Sequence, residues 1–156
     1  MLHKALDLAS HGDVFVVDAG GDLTNAMLGE MMLAHAQTRG LAGVVINGGV
    51  RDPDSIRAGN FPVFAAGVTH RGPDKVGPGE INVAVSLNGM VVEPGDLILG
   101  DPDGVVCVPY AEAEAICTAA ERKHAEETVH LQNILAGKVD RSWVDATLKK
   151  LGCDLG

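Results

Sequence analysis

The stretch Gly43–Asp52, GVVINGGVRD, narrows the choice of fold more than any other part of the chain. Val44, Val45 and Ile46 form a β-branched run without polar alternation. That is the pattern of a strand covered on both faces, and such strands belong to parallel sheets flanked by helices. Asn47, Gly48 and Gly49 break the run, and Arg51 and Asp52 follow side by side where a strand of an α/β sheet is expected to end. A guanidinium fixed beside a carboxylate at that place can grip an anionic substrate and a divalent cation together.

The flanking sequence supports the parallel reading. Met1–Ser10 places Leu2, Ala5, Leu6 and Ala9 at helical spacing, and Val14–Asp18 is a second β-prone run closed by Ala19-Gly20-Gly21. Thr24 or Asn25 is a candidate cap for a helix running to about Arg39 and stopped by Gly40. Gly29 is a poor residue for its interior. Two accounts follow. In one, the helix truly begins near Gly29 and leaves the backbone N–H groups of Glu30, Met31 and Met32 facing an anion. In the other, Gly29 permits close packing on the sheet while Met31 and Met32 fill core. Pro53 suits the first turn of a short helix ending at Gly59, and Phe61–Ala65 is another buried strand, so the chain alternates β-α-β-α-β with right-handed crossovers.

Beyond Thr69 the character changes. Thr69–Glu80 is a Gly/Pro-rich loop carrying His70, Arg71, Lys75 and Glu80, longer than a simple turn requires. Short runs at Ile81–Val85, Met90–Val92, Leu97–Leu99 and Val105–Val108 are separated by Asn88-Gly89, Pro94-Gly95-Asp96 and Asp103-Gly104. These read as an antiparallel meander. Ala111 to about Ala136 is one long helix whose apolar stripe is only partly sustained, so a portion is expected to pack on another subunit. Asp140–Leu151 forms a last short helix with Trp143 as a packing anchor.

Several chemistries are excluded on motif grounds. GGDL lacks the GxGxxG spacing of dinucleotide loops, and no phosphate loop of the GxxxxGK[ST] kind is present. His124 and His130 are not an i, i+4 pair, HAEETVH is not HExxH, and His35 has no second ligand at metal spacing, which dismisses zinc-protease chemistry. The 156 residues suit one domain; with aromatics at only 3%, its core must be aliphatic. A net charge of −9 without a basic run argues against nucleic acid, although a locally held Arg can still receive a small acid. Three cysteines outside any CxxC arrangement fit reduced thiols. No basic-then-apolar leader or membrane-length apolar run is present, so a soluble, cytoplasmic protein is expected.

The combination LGEMM, RGLAGVVINGGVRDPDSI, FPVFAAG, RGP, GPGEINVAV and the later PGD and DGVV closely resembles the aldolases acting on 4-hydroxy-4-methyl-2-oxoglutarate and 4-carboxy-4-hydroxy-2-oxoadipate. These are grouped with the regulators of ribonuclease activity A, the RraA-like proteins. The resemblance runs from about Asp13 to Pro109. It implies an α/β fold of the three-layer β/β/α swivelling type, with a parallel βαβ half and an antiparallel meander. As a domain, the expectation is a single unit over residues 1–156 with a helical tail from 111 and without the family's N-terminal segment.

The resemblance also implies Mg²⁺ or Mn²⁺ as cofactor, a homotrimer or hexamer with the site between subunits, a small 2-oxo acid substrate, and no nucleic-acid or membrane partner. Asp52 resembles the direct metal ligand, and Arg51 the residue that binds the keto acid and stabilises enolate charge. Glu30, after Gly29, is expected to act through metal-bound water, and the amides of Met31 and Met32 to hold the substrate carboxylate. Lys75 matches a basic loop position, and Glu126 or Glu127 of a neighbouring subunit is expected near the site. Members that inhibit ribonuclease without aldol activity tend to lack the acids corresponding to Asp52 and Asp54, so both favour catalysis here. Asn47 stands where many members carry Asp. The implied activity is metal-dependent retro-aldol cleavage giving pyruvate, with oxaloacetate decarboxylation as a side reaction; the alternative is a non-catalytic ribonuclease-binding regulator.

Overall fold

The structure, a computed structural model, describes residues 1–74 and 77–154 and divides into two compact units, Met1–Ala111 and Glu112–Gly156. In the first unit the elements follow in the order α1 (Leu2–Leu8), β1 (Val14–Asp18), β2 (Ala26–Leu28), α2 (Glu30–Thr38), β3 (Gly43–Val50), α3 (Pro53–Ala58) and β4 (Val63–Val68). After these come β5 (Val85–Leu87), β6 (Met90–Val92), β7 (Leu97–Asp101) and β8 (Gly104–Val108). The second unit holds α4 (Ala113–Leu135) and α5 (Ser142–Lys150). The fold is mixed α/β, with a parallel sheet and antiparallel hairpins.

β3 is the spine of the parallel sheet. β4 pairs along one of its edges, while the other edge is shared, with β1 on its N-terminal half (Val14↔Gly43 to Asp18↔Asn47) and β2 on its C-terminal half (Ala26↔Gly49, Leu28↔Val50). Its burial matches the unbroken apolar run: every residue except Asn47 is buried. Val17, Leu28, Leu33, Val44, Ile46 and Val50 make the main core, and Leu6, Ala36 and Leu41 a second cluster beneath α1 and α2.

The structure departs from the sequence expectations at identifiable places. Asn47-Gly48-Gly49 does not end the strand; β3 continues to Val50, with a register irregularity against β4 between Ile46 and Gly49. A Cβ on Gly48 would lie 2.7 Å from the Ala19 Cβ, so the glycine admits a close neighbour and the strand stays intact. The helix expected from Thr24 or Asn25 begins instead at Glu30 with Gly29 as its N-cap, as the first of the two accounts has it, and Ala26–Leu28 form β2, because Ala26 and Leu28 bury themselves against the part of β3 that β1 does not reach. Ile81–Ala84 is irregular, leaving only Val85 of the expected strand, and the strand expected at Phe61–Ala65 forms at Val63–Val68.

The antiparallel half consists of two hairpins, β5–β6 and β7–β8. The first turns through Asn88 (φ 50°) and Gly89 (φ 93°), the left-handed pair that an Asn-Gly hairpin requires. The second is clamped at its open end by Asp96, which accepts hydrogen bonds from the amides of Glu93 (2.9 Å) and Tyr110 (3.1 Å). In the second unit no residue of α4 or α5 is buried, and Trp143 is 66% exposed rather than a packing anchor. No described helix is long and apolar enough to cross a membrane.

Candidate acid-binding site at the end of the central strand

The site is built where β3 stops. The Arg51 N–H donates to the Leu28 carbonyl (3.0 Å) and the Thr69 N–H to the Val50 carbonyl (2.9 Å), so the strand end is held from both sides. Asp52 then takes a left-handed backbone conformation (φ 61°, ψ 46°) that only a few non-glycine residues tolerate, Asp among them. This turns the chain sharply into α3, with Pro53 in its first turn.

The turn points the Asp52 carboxylate back at α2. Its Oδ2 accepts the Glu30 N–H at 3.0 Å, capping a helix whose own N-cap residue, Gly29, has no side chain to do so. The same Oδ2 lies 3.5 Å from the Arg51 Nε. Both side chains are about half exposed, so this pair contributes little to stability; its effect is to orient the guanidinium. Gly29 makes the arrangement possible, since a Cβ there would stand 2.7 Å from both the Arg51 Cγ and the Asp52 Oδ2.

The three amides at the start of α2 have different fates. Glu30 donates to Asp52, and Met32 donates to the Gly29 carbonyl (3.0 Å), which turns that amide inward along the helix. The Met31 N–H has no hydrogen-bond partner among the described residues, and the Met31 side chain is 80% exposed rather than filling core. Of the two amides expected to hold a carboxylate, Met31 therefore remains open, whereas Met32 is already engaged.

Arg51, Gly29, Met31 and Met32 border a cleft of about 660 Å³. Its floor is the sheet at Phe15, Val17 and Leu28; its walls include α1 at Leu2 and His3 and the glycine-rich segments Gly72–Asp74 and Gly77–Glu80. Glu30 instead borders a smaller hollow of about 170 Å³ with Gln37 and Ile56. Asp54 is fully exposed and pairs with Arg57 (3.7 Å), while Glu126 and Glu127 pair along α4 with Arg122 and Lys123. Lys75 lies outside the described residues.

Sequence reasoning missed Asp18. It ends β1 on the cleft wall, and its Oδ1 accepts the Gly20 N–H (2.8 Å) and the Asn47 amide (3.4 Å). The signal was the Asp-x-Gly turn at a strand end, which reads equally well as ordinary punctuation. Further along the same loop, hydrogen bonds from the Thr24 hydroxyl and then the Thr24 amide hold the Asp22 carboxyl below the usual range.

The donor set suits a hard, oxygen-seeking ion held loosely. Asp52 keeps Oδ1 without a hydrogen bond among the described residues, and Mg²⁺ commonly takes one or two carboxylates, completing its shell with water and substrate. Among the described residues no three His, Cys, Asp or Glu come together, so no full protein cage of the zinc or calcium kind is built among them.

Fold and site together define a mixed α/β domain whose central parallel strand ends in a guanidinium paired with a carboxylate. The family profile described as "RraA-like: Aldolase/RraA" matches residues 1–107, and the chain belongs to that family. A relative from Halalkalibacterium halodurans, named "Putative 4-hydroxy-4-methyl-2-oxoglutarate aldolase", is 44% identical over 124 residues, which is 80% of this chain and 59% of the relative. The chain thus spans a little under two thirds of that relative's length. Among solved structures, a Pseudomonas syringae pv. tomato protein superposes with TM-score 0.83 at 26% identity, over 87% of this chain and 64% of the other. Streptomyces coelicolor RraAS2, titled an unusual member of the RNase ES inhibitor RraA protein family, gives 0.76 at 30% identity over 84% and 68%.

Proposed function

We propose that the chain is a divalent-metal-dependent pyruvate aldolase, a carbon–carbon lyase that cleaves 4-hydroxy-2-oxo acids such as 4-hydroxy-4-methyl-2-oxoglutarate or 4-carboxy-4-hydroxy-2-oxoadipate. The observation that carries the reading is Arg51 on the cleft wall beside Asp52, whose carboxylate is tied to the Glu30 amide in the space that Gly29 leaves open. Mg²⁺ or Mn²⁺ bound at Asp52 supplies Lewis-acid polarisation of the 2-oxo carbonyl.

The protein's part is positioning and charge. Arg51, with the Met31 N–H, receives the C1 carboxylate. A water molecule acting as base takes the C4 hydroxyl proton, the C4–O bond becomes a carbonyl as the C3–C4 bond breaks, and the bonding pair passes to the departing pyruvate enolate, which takes a proton at C3 from solvent to give pyruvate. The Arg51 guanidinium offsets that negative charge as it forms. The same enolate arises from decarboxylation of oxaloacetate, the expected side activity. No Schiff base is required, and no lysine lines the cleft among the described residues. The working protein is a cytoplasmic homotrimer or hexamer, a reading supported by α4 and α5, on which no residue is buried within one chain.

The test is pyruvate release from these acids with Mg²⁺. Asp52→Asn keeps an acceptor for the Glu30 amide and removes the charge. The expected result is a folded variant with at least a 100-fold lower rate and EDTA-sensitive activity in the parent. Activity that survives EDTA, or that Asp52→Asn leaves intact, would overturn the mechanism.

The similarity to the ribonuclease-inhibitor relative favours a second reading, a regulator that captures a ribonuclease. Pull-down from cell extract together with a Mg²⁺ titration separates the two, because tight ribonuclease capture without metal affinity would select the regulator.

A further inference from the structure

We propose that Arg71 receives the carboxylate attached to C4, so that two guanidinium groups, one at each end of the ligand, select 2-oxo dicarboxylates over monocarboxylates. This deepens the aldolase reading and rests on Arg51 as the clamp of the C1 carboxylate.

Position is the first reason. The backbone of Thr69–Gly72 is tied to both β3 and β2. The Thr69 N–H donates to the Val50 carbonyl (2.9 Å), the Arg71 N–H to the Thr69 hydroxyl (3.4 Å), and the Arg71 carbonyl accepts the Ala26 N–H (2.8 Å). Gly72 follows on the cleft wall, and the Arg51 Nη1 lies 3.8 Å from the point that a Cβ on Gly72 would occupy. By standard bond and Cα spacings, the Arg71 Cα therefore stands within about 9 Å of that nitrogen. The carboxylate carbons of a five-carbon 2-oxo dicarboxylate are roughly 5 Å apart, so an arginine side chain can meet the far end while Arg51 holds the near one.

Availability is the second reason. The permanent cations of Met1–Ala111 among the described residues are Lys4, Arg39, Arg51, Arg57 and Arg71. Arg39 donates to the Ala9 carbonyl (2.9 Å), Arg57 pairs with Asp54 (3.7 Å), and Lys4 stands on α1 outside the cleft lining. Arg71 is exposed, and its guanidinium has no partner among the described residues. In a chain of net charge −9, a ligand with two carboxylates needs a local cation for each. Arg71 lies outside the lining itself, but exposed side chains change rotamer within nanoseconds, so its swing over the mouth does not slow binding. A planar guanidinium then meets the carboxylate through two parallel hydrogen bonds.

The probes are 2-oxoglutarate and 5-methyl-2-oxohexanoate, in which an isopropyl group replaces the second carboxylate, titrated calorimetrically into the full chain with Mg²⁺ present. The parent is expected to bind 2-oxoglutarate about tenfold more tightly than the monocarboxylate. Arg71→Gln should weaken 2-oxoglutarate about tenfold and leave the monocarboxylate within about twofold, while Arg71→Lys keeps part of the preference. Binding of neither acid, no preference in the parent, a preference that Arg71→Gln leaves intact, or one that Lys75→Ala removes in its place would overturn the inference. Where binding is seen, its loss in Arg51→Ala keeps the clamp standing whatever Arg71 does. Binding of both acids that Arg51→Ala leaves intact overturns the clamp, and the inference with it.

Discussion

A methyl group at position 29 would meet Arg51 and Asp52 side-chain atoms first, at 2.7–2.8 Å, so Gly29→Ala displaces those two side chains. The expected outcome is a loss of about 100-fold in kcat/KM for pyruvate release, the usual consequence of misplacing a binding group by about 1 Å. The melting temperature should change by only a few degrees, as calorimetry would show. Arg51→Lys keeps the charge but loses the planar fork, and affinity for a 2-oxo acid should fall about tenfold by titration calorimetry. The adjacency of Arg51 and Asp52 was legible in the sequence because it is local. The bond from Asp52 to the Glu30 amide was not, since the two groups lie 22 positions apart and meet only when β2 and β3 are in register.

Among the elements, α1 is held through Leu6, which is 1% exposed against Ala36 and Leu41. Leu6→Ala should cost about 2–5 kcal/mol in urea unfolding and loosen one wall of the cleft. At the β7–β8 hairpin, hydrogen bonds from the Glu93 amide first, then from the Tyr110 amide and the Cys107 thiol, hold the Asp96 carboxyl below its ordinary value. Its folded pKa is thus lower than its unfolded one, so its stabilisation is present above the ordinary carboxylate range and is lost as pH falls through the folded value. Asp96→Asn should lower the melting temperature at pH 7, and the difference should shrink towards pH 2, as melting curves across that range would register. β1, β3 and the Asn88-Gly89 hairpin could be read from pattern and turn chemistry. β2 could not, because Ala-Met-Leu after Thr24 and Asn25 carries helix propensity and helix caps. Only the bare half of β3 turns it into a strand.

On the scale of the whole molecule, α4 and α5 hold Leu131, Leu135 and Trp143 at 56%, 79% and 66% exposure. The proposed homotrimer would cover them, and sedimentation equilibrium should then return a mass of three chains or a multiple of it. Leu131→Glu with Leu135→Glu should shift that mass towards one chain. Trp143 misled the sequence reading because a lone large aromatic ordinarily marks a core, and here it sits on a helix with no buried side.

The cap that Asp52 lends to α2 would also govern how the proposed acid meets the protein. Since guanidinium, carboxylate and helix start are already locked together before any acid arrives, the ordering entropy is spent during folding and not during encounter. Association should therefore proceed in one fast phase without a slow rearrangement, and the backbone around Gly29 should be equally rigid whether the acid is bound or absent.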